Sequence, residues 1–301
     1  MNRREMLLQT GAAALTAGLS RFPLGWAAGD DAPKRHILMY TRSQGFEHPV
    51  VKRENGKLSL AERIATKLGH KHNFDVTCTK DGAVFNDLSK YDAFWFETTG
   101  DLTQSGGDNE PPMTKEGKKA LLKAIAAGKG FVGCHSASDT FHSAGERNEN
   151  QPHDKQDPYI RMLGGEFIIH GDQQKTWMRV VDHHFPGTKD LKDFEMMEEW
   201  YALKNFAPDL RVIFVQETKG MKGEPYQRPP YPATWARMHH KGRVFFTSMG
   251  HREDVWESPT FQQVVLGGLS WAVGNVEADL APNIKTAAPH ASALPETHKK
   301  K

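Results

Sequence analysis

Apolar positions along the chain fall into two textures. From residue 36 to residue 134, short runs that are apolar nearly throughout alternate with stretches whose apolar residues recur at helical spacing. The runs are His36-Ile37-Leu38-Met39-Tyr40, Phe74-Asp75-Val76-Thr77-Cys78, Asp92-Ala93-Phe94-Trp95-Phe96 and Phe131-Val132-Gly133-Cys134. The helical stretches are residues 50–68 and residues 114–127, the latter with Thr114 as N-cap. Strands without a polar face, separated by helices, predict a parallel sheet covered on both sides. From Thr176 the texture changes. Runs of β character at 177–181, 211–217 and 244–248 follow with few helical patterns between them, which predicts antiparallel additions. Residues 259–273, with Phe261, Val264, Val265, Leu269 and Trp271, predict a closing helix. Pro229, Pro230 and Pro232, with Tyr226 and Tyr231, read as a rigid loop bordering a pocket. Beyond Asn275 the chain is rich in Ala, Pro, His and Lys, so residues 276–301 are expected to form a disordered tail.

Length and charge narrow this picture. The 301 residues, 38% hydrophobic and 25% charged, suit one large soluble domain, placed at 34–275. Lys plus Arg number 39 against 37 for Asp plus Glu, and a net charge of +2 gives no electrostatic case for nucleic acid or an anionic membrane. Two cysteines, Cys78 and Cys134, cannot build a disulfide framework or a zinc knuckle. Any metal must therefore use histidine and carboxylate, and the chain carries 15 histidines. The first residues, with paired Arg3-Arg4, a moderately apolar Gly- and Ala-rich stretch and small residues at Ala27-Ala28, match a twin-arginine export signal. Residues 1–28 are accordingly expected to be a cleaved signal peptide, with a periplasmic or otherwise exported mature chain and no membrane span after cleavage.

In an open parallel sheet, ligands bind outside the carboxyl ends of the strands. Those ends are residues 41–48, 97–101, 135–139 and 250–253. The third is distinctive. Gly133-Cys134-His135-Ser136-Ala137 has the small-x-x-x-small form of a nucleophile elbow, in which small flanking residues let the chain turn sharply and lift the central side chain. The central residue is His135. Strand alternation turns Cys134 away from the tip and into the sheet, which argues against a thiol nucleophile.

Here the chain resembles the ThuA-like proteins of trehalose utilisation, which have a flavodoxin-like, class I glutamine amidotransferase-like α/β fold. That fold is a mainly parallel sheet flanked by helices, with antiparallel additions. The motifs that carry the resemblance are Gly45-Phe46-Glu47-His48, Thr98-Thr99-Gly100-Asp101, the elbow itself, Gly164-Gly165-Glu166-Phe167-Ile168-Ile169-His170, Glu198-Glu199-Trp200-Tyr201 and the segment Gly242 to His251. The family pattern usually has an aliphatic residue where this chain has Cys134. Amidotransferases need a cysteine at the elbow tip, so with His135 there glutamine hydrolysis is not expected.

Imidazoles from separate loops with a nearby carboxylate suit a divalent metal instead, zinc foremost. The expected ligands are His135, His170 and His251, and no nucleotide cofactor is expected. The resemblance implies a small-molecule carbohydrate as substrate, with a sugar dehydrogenase acting alongside to supply 3-keto sugars, and it leaves an oligomer open. A 3-keto group acidifies the C2 proton, so a base can start elimination of the C1 substituent, with water addition completing cleavage, or can start isomerisation. Glu199 is the expected base, with Asp139 and His48 in reserve. Thr98, Thr99, Asp101, Ser136, Trp200, Tyr201, His183 and Glu253 are candidates for substrate contacts, Trp200 and Tyr201 as an aromatic platform. The alternative function is a non-catalytic carbohydrate-binding or interaction domain that has lost amidotransferase chemistry.

Overall fold

A computed structural model of the chain describes residues 34–295. The expected export signal lies outside the described residues. Strands β1 (Arg35–Tyr40), β2 (Phe74–Thr79), β3 (Ala93–Phe96) and β4 (Gly130–Cys134) alternate with helices α1 (Leu60–Lys71) and α2 (Lys115–Ala126). Helix α3 (Pro158–Leu163) leads into β5 (Glu166–His170), β6 (Gln174–Val180), β7 (Phe194–Glu198), β8 (Tyr201–Lys204), β9 (Arg211–Gln216), β10 (Tyr231–His239) and β11 (Gly242–Thr247). Helices α4 (Glu253–Glu257), α5 (Pro259–Ala272) and α6 (Ile284–Ala287) follow.

Nine strands form one sheet in the order β2-β1-β3-β4-β11-β10-β9-β6-β7, and β5 pairs with β8 apart from it. The β2-β1-β3-β4-β11 block is parallel throughout, and every pairing beyond β11 is antiparallel. The continuous apolar runs are explained by the layers they feed. Ile37 and Met39 of β1 enter a core with Ile64 and Leu68 of α1 and Val264 and Leu269 of α5. Leu38 and Tyr40 enter the other, with Leu121 and Ile125 of α2. Each such buried side chain contributes about 1.5–3 kcal/mol of transfer free energy.

Four expectations are corrected. The helix expected over 50–68 begins only at Leu60. Asn55 and Gly56 adopt left-handed backbone (φ 52 and 72), and Ser59 opens α1 with a capping box: its hydroxyl accepts from Glu62 N at 3.3 Å while Glu62 Oε2 accepts from Ser59 N at 2.8 Å. The proline-rich loop is in its second half a strand, since Tyr231 and Pro232 begin β10 and a register shift between Pro232 and Thr234 absorbs the irregularity. The β-rich half also contains β5, β7 and β8, which the apolar pattern does not reveal. Finally, residues 276–295 of the expected disordered tail pack on the domain. Asn283 Oδ1 accepts from Val212 N at 2.6 Å, and Arg228 Nη2 donates to Ala291 O at 2.7 Å. Buried backbone acceptors matched by arginine donors hold this segment where apolar periodicity is weak. Among the described residues no helix is long and apolar enough to cross a membrane.

Candidate functional site

Strand β4 ends at Cys134, and His135 takes left-handed backbone with φ 38 before a single helical turn at His135–Asp139. That conformation costs a non-glycine residue about 1–2 kcal/mol, so its surroundings must enforce it. They do so by close approach: a Cβ on Gly250 would lie 3.5 Å from His135 Cβ and 3.3 Å from Glu97 Oε2, and Gly250 itself has φ 131. The turn lifts His135 out of the sheet. Cys134 goes the other way, accepting from Trp95 Nε1 at 3.3 Å, and burial pushes its thiol well above the ordinary range. The elbow therefore presents imidazole and hides thiol, as the strand alternation predicts.

Three loops at the carboxyl ends of β1, β4 and β11 bring His48, His135 and His251 together, and the β7–β8 connection supplies Glu199. One donor atom from each of the four lies within 4.8 Å of every other. Glu199 Oε2 is 3.1 Å from His251 Nδ1, 3.6 Å from His135 Nε2 and 4.0 Å from His48 Nε2. None of these contacts is a hydrogen bond: His135 Nε2 and His251 Nδ1 are buried without a partner. The proton on His135 can be placed by chemistry. Its Nδ1 lies 3.2 Å from Ser248 O, which only accepts, so Nδ1 donates and Nε2 carries the lone pair. That lone pair faces a carboxylate oxygen. Two acceptors turned on one another in a buried site call for a cation or a proton between them.

Electrostatics point the same way. Burial pushes the Glu199 carboxyl up, but contacts with His135 and His251 outweigh it and hold the group well below the ordinary carboxylate range. Burial pushes His48 well below its ordinary value, which keeps it neutral. Neutral imidazole and ionised carboxylate are the forms that ligate a divalent ion. The donors fit such a group.

A carboxylate behind the cluster holds two of its members. Glu198 is fully buried; its Oε1 accepts from Gly250 N at 2.6 Å and His251 N at 2.7 Å, and its Oε2 from Glu199 N at 3.0 Å. Beneath the elbow, Glu97 Oε1 accepts from Ser136 Oγ at 2.7 Å. Burial pushes the Glu97 carboxyl well above the ordinary range, with the Ser136 hydrogen bonds offsetting only part. The sequence pattern assigns neither Glu97 nor Glu198 a role; the positional signal is an acid at the carboxyl end of a strand, Glu97 directly after β3 and Glu198 as the last residue of β7. On the other side, Lys80 Nζ donates to Thr41 O at 2.8 Å and Glu47 Oε1 at 3.0 Å, and Thr99 Oγ1 donates to Phe46 O at 2.9 Å. Those bonds fix the loop that delivers His48.

The remaining candidates divide. His170 stands at the rim, 44% exposed, with Nδ1 3.0 Å from Gly171 O and 3.4 Å from Glu199 Oε1; His48 takes the place expected for it in the four-donor group. Tyr201 forms a wall, its ring 4.0 Å from that of His135 and its hydroxyl 3.5 Å from His48 Nε2. Its neighbour Trp200 is fully buried and donates from Nε1 to Gln174 O, so it packs the core and offers no platform. Ser136 serves Glu97, Thr98 pairs with Thr140 at 2.8 Å, and Asp101 caps a turn through Thr103. Asp139 is outside the cluster, bound to His142 Nε2 at 2.7 Å and Arg147 Nη2 at 3.2 Å. Glu253 is exposed beside His251 and lines a cleft there. His183 is exposed beyond the far end of β6, a strand whose opposite end adjoins the site, and seven residues at about 3.3 Å each separate the two ends.

A family model described as ThuA, trehalose utilisation, matches residues 36–272. Among solved structures, a putative ThuA-like protein from Bacteroides uniformis is 20% identical with a TM-score of 0.59, covering 80% of this chain and 92% of that one. Another from Parabacteroides merdae is 17% identical with a TM-score of 0.55, covering 88% and 98%. At these identities the likeness concerns the fold. No curated protein sequence matches.

Proposed function

The chain belongs to the ThuA family of trehalose utilisation, and from that premise we propose that it is an exported, divalent-metal-dependent enzyme that cleaves a 3-keto-glycoside by elimination and hydration, or isomerises it. The observation that carries the reading is the lone pair of His135 Nε2, fixed by Ser248 O and aimed at Glu199 inside a ring of three imidazoles. His48, His135, His251 and Glu199 would hold the ion, zinc by its preference for neutral nitrogen and carboxylate oxygen. When bound, it supplies Lewis acidity that lowers the cost of negative charge on a nearby ketone oxygen.

With Glu199 in the ligand set, the base is a different residue from the one the sequence favoured. His170 is suited to the task. Its Nδ1 is directed at Gly171 O and so donates, leaving Nε2 with a free lone pair at a half-exposed rim position. His170 Nε2 takes the C2 proton, and the C–H electrons pass into a C2–C3 enolate. Re-forming the ketone makes a C1–C2 double bond and breaks the C1–O bond, and the departing oxygen takes the proton back. Water then adds at C1. Burial pushes the Tyr201 hydroxyl well above its ordinary range, so it stays protonated as a donor beside His48. Export is part of the proposal through Arg3-Arg4 and the apolar stretch after them.

The test measures metal in the purified chain and turnover of a 3-keto-glycoside before and after chelation. About one divalent ion per chain is expected, with turnover abolished by chelation and by His135→Ala. A metal-free protein that leaves 3-keto-glycosides unchanged would overturn the reading. Sugar affinity that survives chelation, without turnover in the metal-loaded protein, would instead favour a carbohydrate-binding domain.

A further inference from the structure

At the end of the sheet opposite the histidine cluster lie two adjoining clefts that the proposed reaction leaves unused. Strand β10 runs antiparallel to β11, so Arg237 and His239 adjoin the amino end of β11. The six residues of β11, at about 3.3 Å each, separate them from the carboxyl end that leads to His251. The clefts, of about 540 and 400 Å³, share His153, Arg161, Asp209 and Arg237 in their linings, and His239 and His240 add to the first. Each volume falls within the range of about 300–1,000 Å³ typical of small-ligand sites. Beyond the shared residues the second cleft is apolar apart from Gln156 and Gly164, with Phe206 and Pro208 among its walls.

Charge in the shared part is unbalanced. Arg237 is buried and fixed: Nε and Nη2 donate to Asp209 Oδ1 and Oδ2 at 3.1 and 3.0 Å, and Nη1 donates to Met162 O at 2.8 Å and to Arg161 O. Four of its five N–H groups are thereby used, one on Nη2 stays open, and Asp209 cancels its charge. Arg161, half-buried on α3, has no hydrogen-bond or ion-pair partner for its guanidinium among the described residues. The carboxylate of Asp157, which caps that helix, is taken by Lys118 Nζ at 2.7 Å. One uncompensated cation therefore faces the clefts. Burial, then the Arg237 guanidinium, pushes His239 down to about 4, so its imidazole is neutral and offers one N–H.

We propose that these clefts bind a small organic phosphate, a monoester whose phosphoryl group sits on Arg161 and whose apolar body lies against Phe206 and Pro208. The proposal is independent of the reaction at the histidine cluster. Charge selects an anion, because Arg161 alone among the shared cationic groups lacks a counter-ion. Shape favours phosphate over carboxylate. The donors come from three segments, Arg161 on α3, Arg237 and His239 on β10 and His153 on the turn His153–Lys155. Donors arriving from several directions match a tetrahedral group with three free oxygens, whereas a carboxylate is satisfied by one planar fork. The apolar walls of the second cleft exclude a bare inorganic ion as the best ligand, since only an apolar body removes them from water.

The experiment measures equilibrium binding of phenyl phosphate, inorganic phosphate and benzoate to the full chain by titration calorimetry, at an ionic strength of about 0.15 M. Phenyl phosphate is expected to bind at least about tenfold more tightly than either of the others. Arg161→Gln should weaken it by about tenfold or more with Tm unchanged, because the guanidinium has no partner in the protein to lose. Phe206→Ala should remove most of the advantage over inorganic phosphate while leaving inorganic phosphate affinity as it was. Lys155→Gln, at an exposed position outside both linings, should stay within about twofold of the unaltered chain. His135→Ala should leave phenyl phosphate affinity in place, which separates this site from the histidine cluster. No binding, equal affinity for the three probes, or equal losses in Lys155→Gln and Arg161→Gln would each overturn the proposal. So would affinity lost in His135→Ala and kept in Arg161→Gln. An oligoglutamate peptide that displaces phenyl phosphate at lower concentration would overturn it in favour of a protein-docking surface.

Discussion

Two clusters of histidine and carboxylate stand near one another in this molecule, and they are chemical opposites. In the outer one, His142 lies between Asp139 Oδ1 at 2.7 Å from Nε2 and Glu166 Oε1 at 3.3 Å from Nδ1. Glu166 also accepts from Ser143 N at 3.0 Å, Ser143 Oγ at 2.6 Å and Asn205 Nδ2 at 2.7 Å. Burial works to lower the His142 pKa, but the hydrogen bonds to Asp139 and Glu166 outweigh it and raise it to about 9. Every acceptor there has a donor, and the imidazolium closes the count. In the inner cluster Glu199 meets four rings, those of His48, His135, His251 and, at the rim, His170, yet His135 Nε2 and His251 Nδ1 are buried with no hydrogen bond. The residue types are the same. What differs is the balance of protons and lone pairs: the outer set is complete as a salt bridge, while the inner set leaves His135 Nε2 and His251 Nδ1 without a hydrogen-bond partner.

The sharpest way to break this contrast is to remove one histidine from each side. Binding free energies of about 10–16 kcal/mol for four-ligand zinc sites imply about 3 kcal/mol per ligand, so His135→Ala should weaken zinc binding by roughly a hundredfold or more. His142→Ala should leave zinc affinity within about threefold. It should instead lower the Tm by about 4 °C, since it strips a counter-charge from Glu166 at a partly water-screened position. Competition against a chelator reads the first effect and thermal unfolding the second. Equal loss of metal in both variants would erase the distinction.

A smaller effect tests whether the inner cluster is held from behind. Glu198→Gln preserves shape and can keep an oxygen on Gly250 N and His251 N, but it then sets an amide hydrogen against the backbone donor of Glu199. Partners of this kind typically change metal affinity by about 10–100-fold, and that loss is expected here beside a Tm lower by about 4 °C, because a buried donor is left unpaired. A merely structural Glu198 would show the lower Tm at full zinc affinity.

How far the sequence reaches into these clusters follows from what each depends on. The parallel half was legible because Leu38, Phe94 and Phe131 face one covered layer and Ile37, Trp95 and Val132 the other, so their strands read as unbroken apolar runs. In the antiparallel half charged or polar residues interrupt the apolar runs, Glu166 and His170 in β5, Glu195 and Glu198 in β7 and Lys204 in β8, and Pro232 disguises β10. Three of the four residues in the inner group stand at strand ends that the α/β rule singles out, while Glu199 came with its motif. The exchange of His170 for His48 was not legible. It depends on how the β1 loop, pinned by Lys80 and Thr99, swings toward β4, a matter of tertiary contacts. Trp200 and Tyr201 show the limit at one residue's scale: neighbours face opposite ways, and sequence does not say which of the two faces the site.

The mildest prediction concerns pH and belongs to the outer cluster alone. The folded pKa of His142, about 9, exceeds its ordinary value of 6.5, so the folded state binds more protons between those limits. Its contribution to stability is complete below about pH 6.5 and is lost as pH rises through about 9. Glu166 has the opposite sign. Burial pushes its carboxyl up, but His142 and Ser143 bring it to about 2, so its contribution is present above about pH 4.5 and lost as pH falls through about 2. Because water screens His142, the alkaline loss should be modest, about 2–4 °C in Tm between pH 6.5 and 9.5 for metal-free protein. His142→Gln should flatten that slope while leaving the zinc affinity of the inner cluster in place. If the alkaline slope persists unchanged in the variant, the outer histidine is not the imidazolium that its two carboxylates demand, and the contrast between the clusters loses one of its sides.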